Sequence, residues 1–326
     1  MSETMSDKIS NSILESVNSI AKSRENDYAT NPLPSKDSID AIIQSYSYKN
    51  AAISGGAGII PGPFGMAAAI PEIVAVLRNQ IAMIYDIAKI NGQKEIPSEL
   101  IVGVLFGASG QGAGSLIIIH GQKVMAKRVG AQALQKIVAI LGGKITQQAA
   151  KSMAAKWLPV AGAIAMAAWS KYTTNEIGQK AKEIFSKEIV FESQEMNVEV
   201  IESSENENLN IQTLIEKAKI ECFIKLMKID GRIDDNEVQF ITDFINKCTL
   251  DSESKLELIS KISDETKIEI NYTLFQNNKE EALYLLIDLI ALAKVDEKFH
   301  ITEKLFIKEI GKTLGFSENE LNELME

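Results

Sequence analysis

The chain has 326 residues, enough for two domains with separate cores, and 45% hydrophobic with 24% charged residues is ordinary for a soluble or membrane-associated protein. The net charge of −10 hides an asymmetry: residues 1–188 hold 19 basic and 14 acidic side chains (+5), leaving 15 basic and 30 acidic (−15) for the rest. Two cysteines, Cys222 and Cys248, exclude a disulfide framework and read as core residues of a reduced, cytoplasmic protein, while the polar start Met1–Lys8 lacks the design of a secretory signal.

Ile9, Ile13, Val17 and Ile20 recur at helical spacing and predict a short amphipathic helix. Residues 23–36, with Asn31-Pro-Leu-Pro, read as a linker, so that 1–36 forms a helix plus linker. A helix then runs from Asp37 or Ser38 to about Ile53, where Gly55-Gly-Ala-Gly-Ile-Ile-Pro-Gly-Pro-Phe-Gly65 breaks it. The next helix runs from about Met66 through Pro71 to Asn91. Leu100 to Gln122 carries no formal charge, and Leu100–Ile119 is as long as a bilayer-spanning helix, with Gly103-xxx-Gly107 and Gly110-xxx-Gly114 spacings. Its four glycines between 107 and 114 equally suit a turn between two short buried helices, the preferred expectation. Trp157–Trp169 is uncharged, framed by tryptophans and flanked by Lys156 and Lys171; it is too short to span and suits interfacial insertion or core burial. Residues 188–210 are acidic and polar and read as an exposed linker, with a β-like piece at Ile189-Val-Phe or at Val198–Ile201.

The last hundred residues contain a repeat with a period of 66. Lys228-Ile-Asp-Gly-Arg-Ile-Asp-Asp-Asn-Glu237 leads into Phe240-Ile241, and Lys294-Val-Asp-Glu-Lys-Phe-His-Ile-Thr-Glu303 leads into Phe306-Ile307. Each copy ends one helix at an Asp and starts the next with a Glu seven residues on. This pattern resembles the TerB family of helical domains from bacterial tellurite-resistance and stress operons, over residues 211–326. Asp230-Gly231 with Glu237 matches the family's first turn, and Asp296 with Glu303 its second; Glu297 departs from the expected glycine. Residues 37–187 resemble the EcsC-like group and the helical domain accompanying some membrane-associated GTPases. Three strings carry that likeness: Gly55–Gly65; Ile70-Pro-Glu with Gln80–Lys89; and Leu158-Pro-Val-Ala-Gly-Ala with Ile177–Phe185. The resemblance implies a basic, Ala/Gly-rich domain that associates with membranes. The expected fold class is therefore all-α, an Ala/Gly-rich helical domain followed by a small pseudo-symmetric bundle.

Several chemistries are excluded. Gly107-Ala-Ser-Gly-Gln-Gly-Ala-Gly has no phosphate-binding Lys and no preceding strand, and no alternating strands suit a dinucleotide fold. His120, read as a helix end, and His300 are the only histidines and leave few bases for a hydrolytic triad, so no enzyme is expected. Lysines interleaved with Ala, Gly and Ile, not with aromatics, argue against nucleic acid. Lys123, Lys127, Arg128, Lys136, Lys144 and Lys151 suit an anionic membrane surface or a solvated helix face. Asp234 and His300 each stand three residues before a Glu, as in capping boxes, which explains the acidic turns without a ligand. The alternative is that Asp230, Glu237, Asp296 and Glu303 converge on a divalent cation, Ca²⁺, Mg²⁺ or Mn²⁺, all of which take oxygen ligands. The reading is a non-enzymatic adaptor at the cytoplasmic face of the inner membrane, with a cation or an unknown protein as partner. The competing readings are a pore-forming effector, in which Leu100–Ile119 and Trp157–Trp169 insert, and a soluble scaffold.

Overall fold

In the computed structural model the chain is described except at residues 1–3, 57–62, 109–115, 153–158, 193–198, 230, 232, 265–267, 277, 296–298 and 326. Within helices, the side chains of 56, 63–69, 106–108, 144, 147–152, 159–166, 199–210, 280 and 323 are likewise outside the description. The protein is helical, with one small three-stranded sheet. It divides into two compact units, residues 1–151 with 166–205, and residues 206–326 with 152–165.

The first unit begins with α1 (Met5–Thr30), opened by a Thr4–Asp7 capping box. Ile9, Ile13, Val17 and Ile20 are all buried, as their spacing requires. The helix continues to Thr30, so the expected linker from residue 23 shrinks to the few residues after it: Arg24 and Tyr28 have buried work to do, as described below. Next come α2 (Ile39–Gly56), α3 (Pro63–Ile90) and α4 (Ser98–Ala108), the last two contributing the most deeply buried apolar residues.

After α4 the chain forms a hairpin, not the second helix the sequence suggested. Strand β1 (Ile117–His120) pairs antiparallel with β2 (Lys123–Lys127), and Gly121 takes φ +57° in the two-residue turn. His120 therefore ends a strand. Three consecutive β-branched isoleucines favour this. Gly103 of α4 lies against Ile117, where an added Cβ would come within 2.6 Å of the isoleucine tip. Gly103 is thus covered by the protein's own strand; the surroundings of Gly107, and Gly110 and Gly114 altogether, lie outside the description. Among the described residues no helix is long and apolar enough to cross a membrane.

Helices α5 (Ala131–Ser152) and α6 (Pro159–Phe185) carry the chain to β3 (Glu188–Glu192), which joins β2 in parallel. Of the second apolar segment, Trp157 lies outside the described residues, and Trp169 falls within α6, which runs on well past it. The register sets Lys123 beside Glu188 and Lys127 beside Glu192, so the start of the expected acidic linker answers the basic strand. From Glu199 the chain is α7 (Glu199–Met227), and the β-like reading of 198–201 gives way to helix from residue 199.

The second unit is built on the C-terminal half of α7, with α8 (Asp235–Lys247), α9 (Ser252–Ser263), the short α10 (Thr273–Gln276), α11 (Lys279–Ala293), α12 (Ile301–Thr313) and α13 (Glu318–Met325). Its centre is α11, in which 282–287 and 289–293 are all buried apolar positions. A helix apolar all round belongs inside a bundle, and each fully buried Leu or Ile there contributes roughly 1.5–3 kcal/mol. Cys222 is fully buried in α7; Cys248 caps the end of α8, half-buried, with its Sγ donating to the Ile245 carbonyl at 2.9 Å.

Candidate functional site

The repeated segments form equivalent helix–turn–helix corners. In the first, α7 ends in a turn where Gly231 adopts φ +74°, a conformation that costs a side-chain-bearing residue dearly. Asp234 is the N-cap of α8: its carboxylate accepts from the Asn236 N–H at 2.7 Å, and its own N–H donates to the Glu237 carboxylate at 3.5 Å. In the second, α11 ends at Ala293 and His300 is the N-cap of α12, its N–H donating to Glu303 at 2.7 Å. The capping geometry anticipated from the Asp234-xx-Glu237 and His300-xx-Glu303 spacings is therefore present. Asp230 and Asp296 lie outside the described residues, and among the described residues no group of three or more His, Cys, Asp or Glu is set to hold a metal ion.

Burial separates these boxes from others of the same kind. Asp7 and Glu320 likewise accept from the N-cap N–H at other helix starts, those of Thr4 and Ser317, with the Thr4 and Ser317 hydroxyls accepting in return, and both are exposed. Glu237 and Glu303 retain only 7% and 5% of their exposure. Capping needs a carboxylate near the helix N-terminus, but it does not need the carboxylate taken out of water, which is costly. The two repeat glutamates are thus capping carboxylates held out of water.

Basic groups border both corners. The Lys228 ammonium donates to the carbonyls of Lys261 (2.6 Å) and Asp264 at the C-terminus of α9, where a cation complements the helix dipole. Lys294 donates to the Met325 carbonyl at 3.1 Å and sits 5.6 Å from the Phe299 ring centre; burial, aided by Lys304, lowers its pKa.

A charged pair inside the second unit has no counterpart in the sequence reading. Lys219 of α7 and Asp288 of α11 form an ion pair with side chains 5% and 2% exposed. The Lys219 ammonium also lies 5.5 Å from the Phe244 ring and 5.9 Å from the Tyr284 ring. One signal was legible: Asp288 is the single charge in the run Ala282–Ala293. Nearby in the sequence, buried Glu216 accepts from Thr249 through its N–H (3.2 Å) and hydroxyl (2.7 Å).

Among the described residues of the first unit, the one deeply buried charge is Asp86 of α3. It accepts from the Tyr28 hydroxyl at 2.7 Å and the Tyr46 hydroxyl at 2.8 Å, and Arg24 Nε lies 3.2 Å away. Burial raises the Asp86 pKa, opposed by the Tyr28 hydrogen bond and the Arg24 charge. Burial foremost also pushes the phenols of Tyr28 and Tyr46 upward. Of the basic residues expected to meet a membrane, Lys123 is 3.6 Å from Glu188, and Arg128 is 3.5 Å from Glu99 with its guanidinium 4.1 Å from the Phe191 ring centre.

Comparison with known proteins bears on the second unit. The family model described as Tellurite resistance protein TerB matches residues 216–326, so the C-terminal unit is TerB-like, which fits a role related to tellurite resistance. The match spans both corners and both buried glutamates. No curated protein and no solved structure matches the chain.

Proposed function

We propose that the protein is a non-enzymatic stress-response or metalloid-resistance adaptor whose acidic unit binds a divalent cation or a protein partner at the paired corners. The residues assigned to this are Asp230, Glu237, Asp296 and Glu303, and the ion would be Ca²⁺, Mg²⁺ or Mn²⁺, whose hard character suits carboxylate oxygens. The observation that carries the reading is the burial of Glu237 and Glu303 at positions 66 apart, beside capping boxes elsewhere whose acids stay in water. Titration calorimetry of the full chain with each ion tests it. Binding is expected for the native protein, reduced at least tenfold in Glu237→Gln and Glu303→Gln, and unchanged in Glu320→Gln. No heat with any of the three ions would remove the cation and leave the corners to a protein partner.

The first unit, in this proposal, is an EcsC-like module that associates peripherally with the cytoplasmic face of the inner membrane through its basic residues. The +5 charge on residues 1–188 supports that reading, because each Lys or Arg near an anionic surface contributes about 1 kcal/mol. Co-flotation of the full chain with anionic and neutral vesicles across salt decides it. Salt-sensitive flotation with anionic vesicles is expected, and absence from the lipid fraction at low salt would end the membrane reading.

A further inference from the structure

Three helices of the first unit meet through neutral polar groups. Asn50 of α2 donates to the Thr174 hydroxyl of α6 at 2.9 Å and to the Val76 carbonyl of α3 at 3.4 Å. Asn79 and Gln80 of α3 complete the seam, donating to Asn50 at 2.7 Å and to Thr174 at 3.2 Å. Thr174 thus accepts twice, which fills its lone pairs and leaves its own O–H to donate. Ser170 lies one turn before Thr174 on the same face of α6, and neither residue retains any exposure. Among the described residues the Ser170 hydroxyl has no hydrogen-bond partner. Buried hydroxyls are as a rule bonded, to protein or to ordered water, so this one points to a guest.

The register of α2 against α6 shows what stands across from it. Asp40 meets Lys182 at 2.7 Å, a Cβ on Gly178 would come within 2.8 Å of Ile43, and Asn50 meets Thr174. The contacts climb α2 as they descend α6, so the two helices are antiparallel. Ser54, one turn beyond Asn50, therefore stands opposite Ser170, and it too is buried, at 5% exposure.

We propose that an ordered water is bound between α2 and α6, held by the hydroxyls of Ser54, Ser170 and Thr174. Three partners are the usual number for a buried water. Thr174 donates to it, and each serine hydroxyl, free to rotate, donates or accepts as the water requires. A cation does not suit this place. The seam offers hydroxyls and amides, and the one buried charge among the described residues of this unit, Asp86, is held by Tyr28, Tyr46 and Arg24. An apolar guest would leave Ser170 as unpaired as before. Water satisfies all three hydroxyls and extends the seam by one helical turn.

The test counts long-lived internal waters of the full chain by water-oxygen magnetic relaxation dispersion, beside thermal unfolding. Ser170→Ala is expected to remove one such water and to lower the unfolding midpoint by about 2–4 °C. The sign of that shift is decisive, because alanine in place of a hydroxyl that bonds nothing relieves a desolvation penalty and raises the midpoint. Ser54→Ala is expected to lose the same water, and the double variant to fall by less than the sum of the two, as coupled sites do. Ser47→Ala is the control: its hydroxyl donates to the Ile43 carbonyl of its own helix at 2.8 Å, and its removal should leave the water count unchanged. An unchanged count in Ser170→Ala overturns the proposal, as does a midpoint that stays or rises.

Discussion

The two units handle buried polar groups in opposite ways. Among the described residues, the first buries Ser10, Ser16, Ser47, Asn50, Ser54, Gln80, Ser170 and Thr174, with Asp86 the one charged member. The second buries Glu216, Lys219, Glu237, Glu281, Asp288 and Glu303, with Asn278 the one neutral member. In the first unit uncharged hydrogen bonds join α2, α3 and α6: Asn50 donates to Thr174 at 2.9 Å, accepts from Asn79 at 2.7 Å, and Gln80 donates to Thr174 at 3.2 Å. A neutral seam loses about a kilocalorie or two when one bond is broken, whereas a charged interior responds strongly to any change in charge balance. The unit with the charged interior is the one built on the acidic repeat, which is where a cation or charged partner would have leverage.

The sharpest way to break this comparison is Lys219→Met, which removes the buried ammonium that pairs with Asp288. A loss of about 3–5 kcal/mol is expected in urea denaturation, with most of it restored by Lys219→Met combined with Asp288→Leu. If the single substitution is nearly neutral, the second unit does not depend on its buried charges. In the first unit, Asn50→Ala should cost about 2 kcal/mol by leaving Thr174 and Asn79 short of a partner, and the loss should be independent of salt. A smaller effect, about 1–2 kcal/mol, is expected for Gly142→Ala. Its Cβ would come within 2.9 Å of the Ser6 carbonyl oxygen, where α1 crosses α5, and thermal unfolding measures the loss.

The smallest expected effect concerns acid. Hydrogen bonds from Lys217 and then Lys261 hold the Glu257 carboxyl below its ordinary value, so its contribution is present above that value and lost as pH falls through the folded one. Asp86 has the opposite sign: burial raises its pKa, so the contribution tied to it is present below its ordinary value and lost as pH rises. Stability measured between about pH 5 and 3 should fall less steeply in Glu257→Gln than in the native chain. Equal slopes in the two proteins would remove Glu257 from the account.

Much of the helical architecture was legible. Ile9, Ile13, Val17 and Ile20 announced the buried face of α1, and the N-caps Asp234 and His300 announced the starts of α8 and α12. The β-like piece at Ile189-Val-Phe is present as β3, but the hairpin it joins escaped the sequence. Ile117–Ile119 belongs to an uncharged run that also reads as helix, and β2 acquires its parallel neighbour β3 only after two intervening helices. The acidic stretch from 188 read as a linker because its partner, the basic strand at 123–127, is remote in the chain.

The sequence by itself determined the periodicities, the capping boxes, the repeat of 66 and the division of charge, because each depends on neighbours within a few residues or on composition. Only the tertiary structure decided that Glu237 and Glu303 are withdrawn from water while Asp7 and Glu320 are not. It also decided that Lys219 meets Asp288 and that Gly103 receives Ile117. Burial and ion pairing are properties of which distant groups arrive at the same place, and a charge is tolerated or ruinous according to the partner that arrives with it.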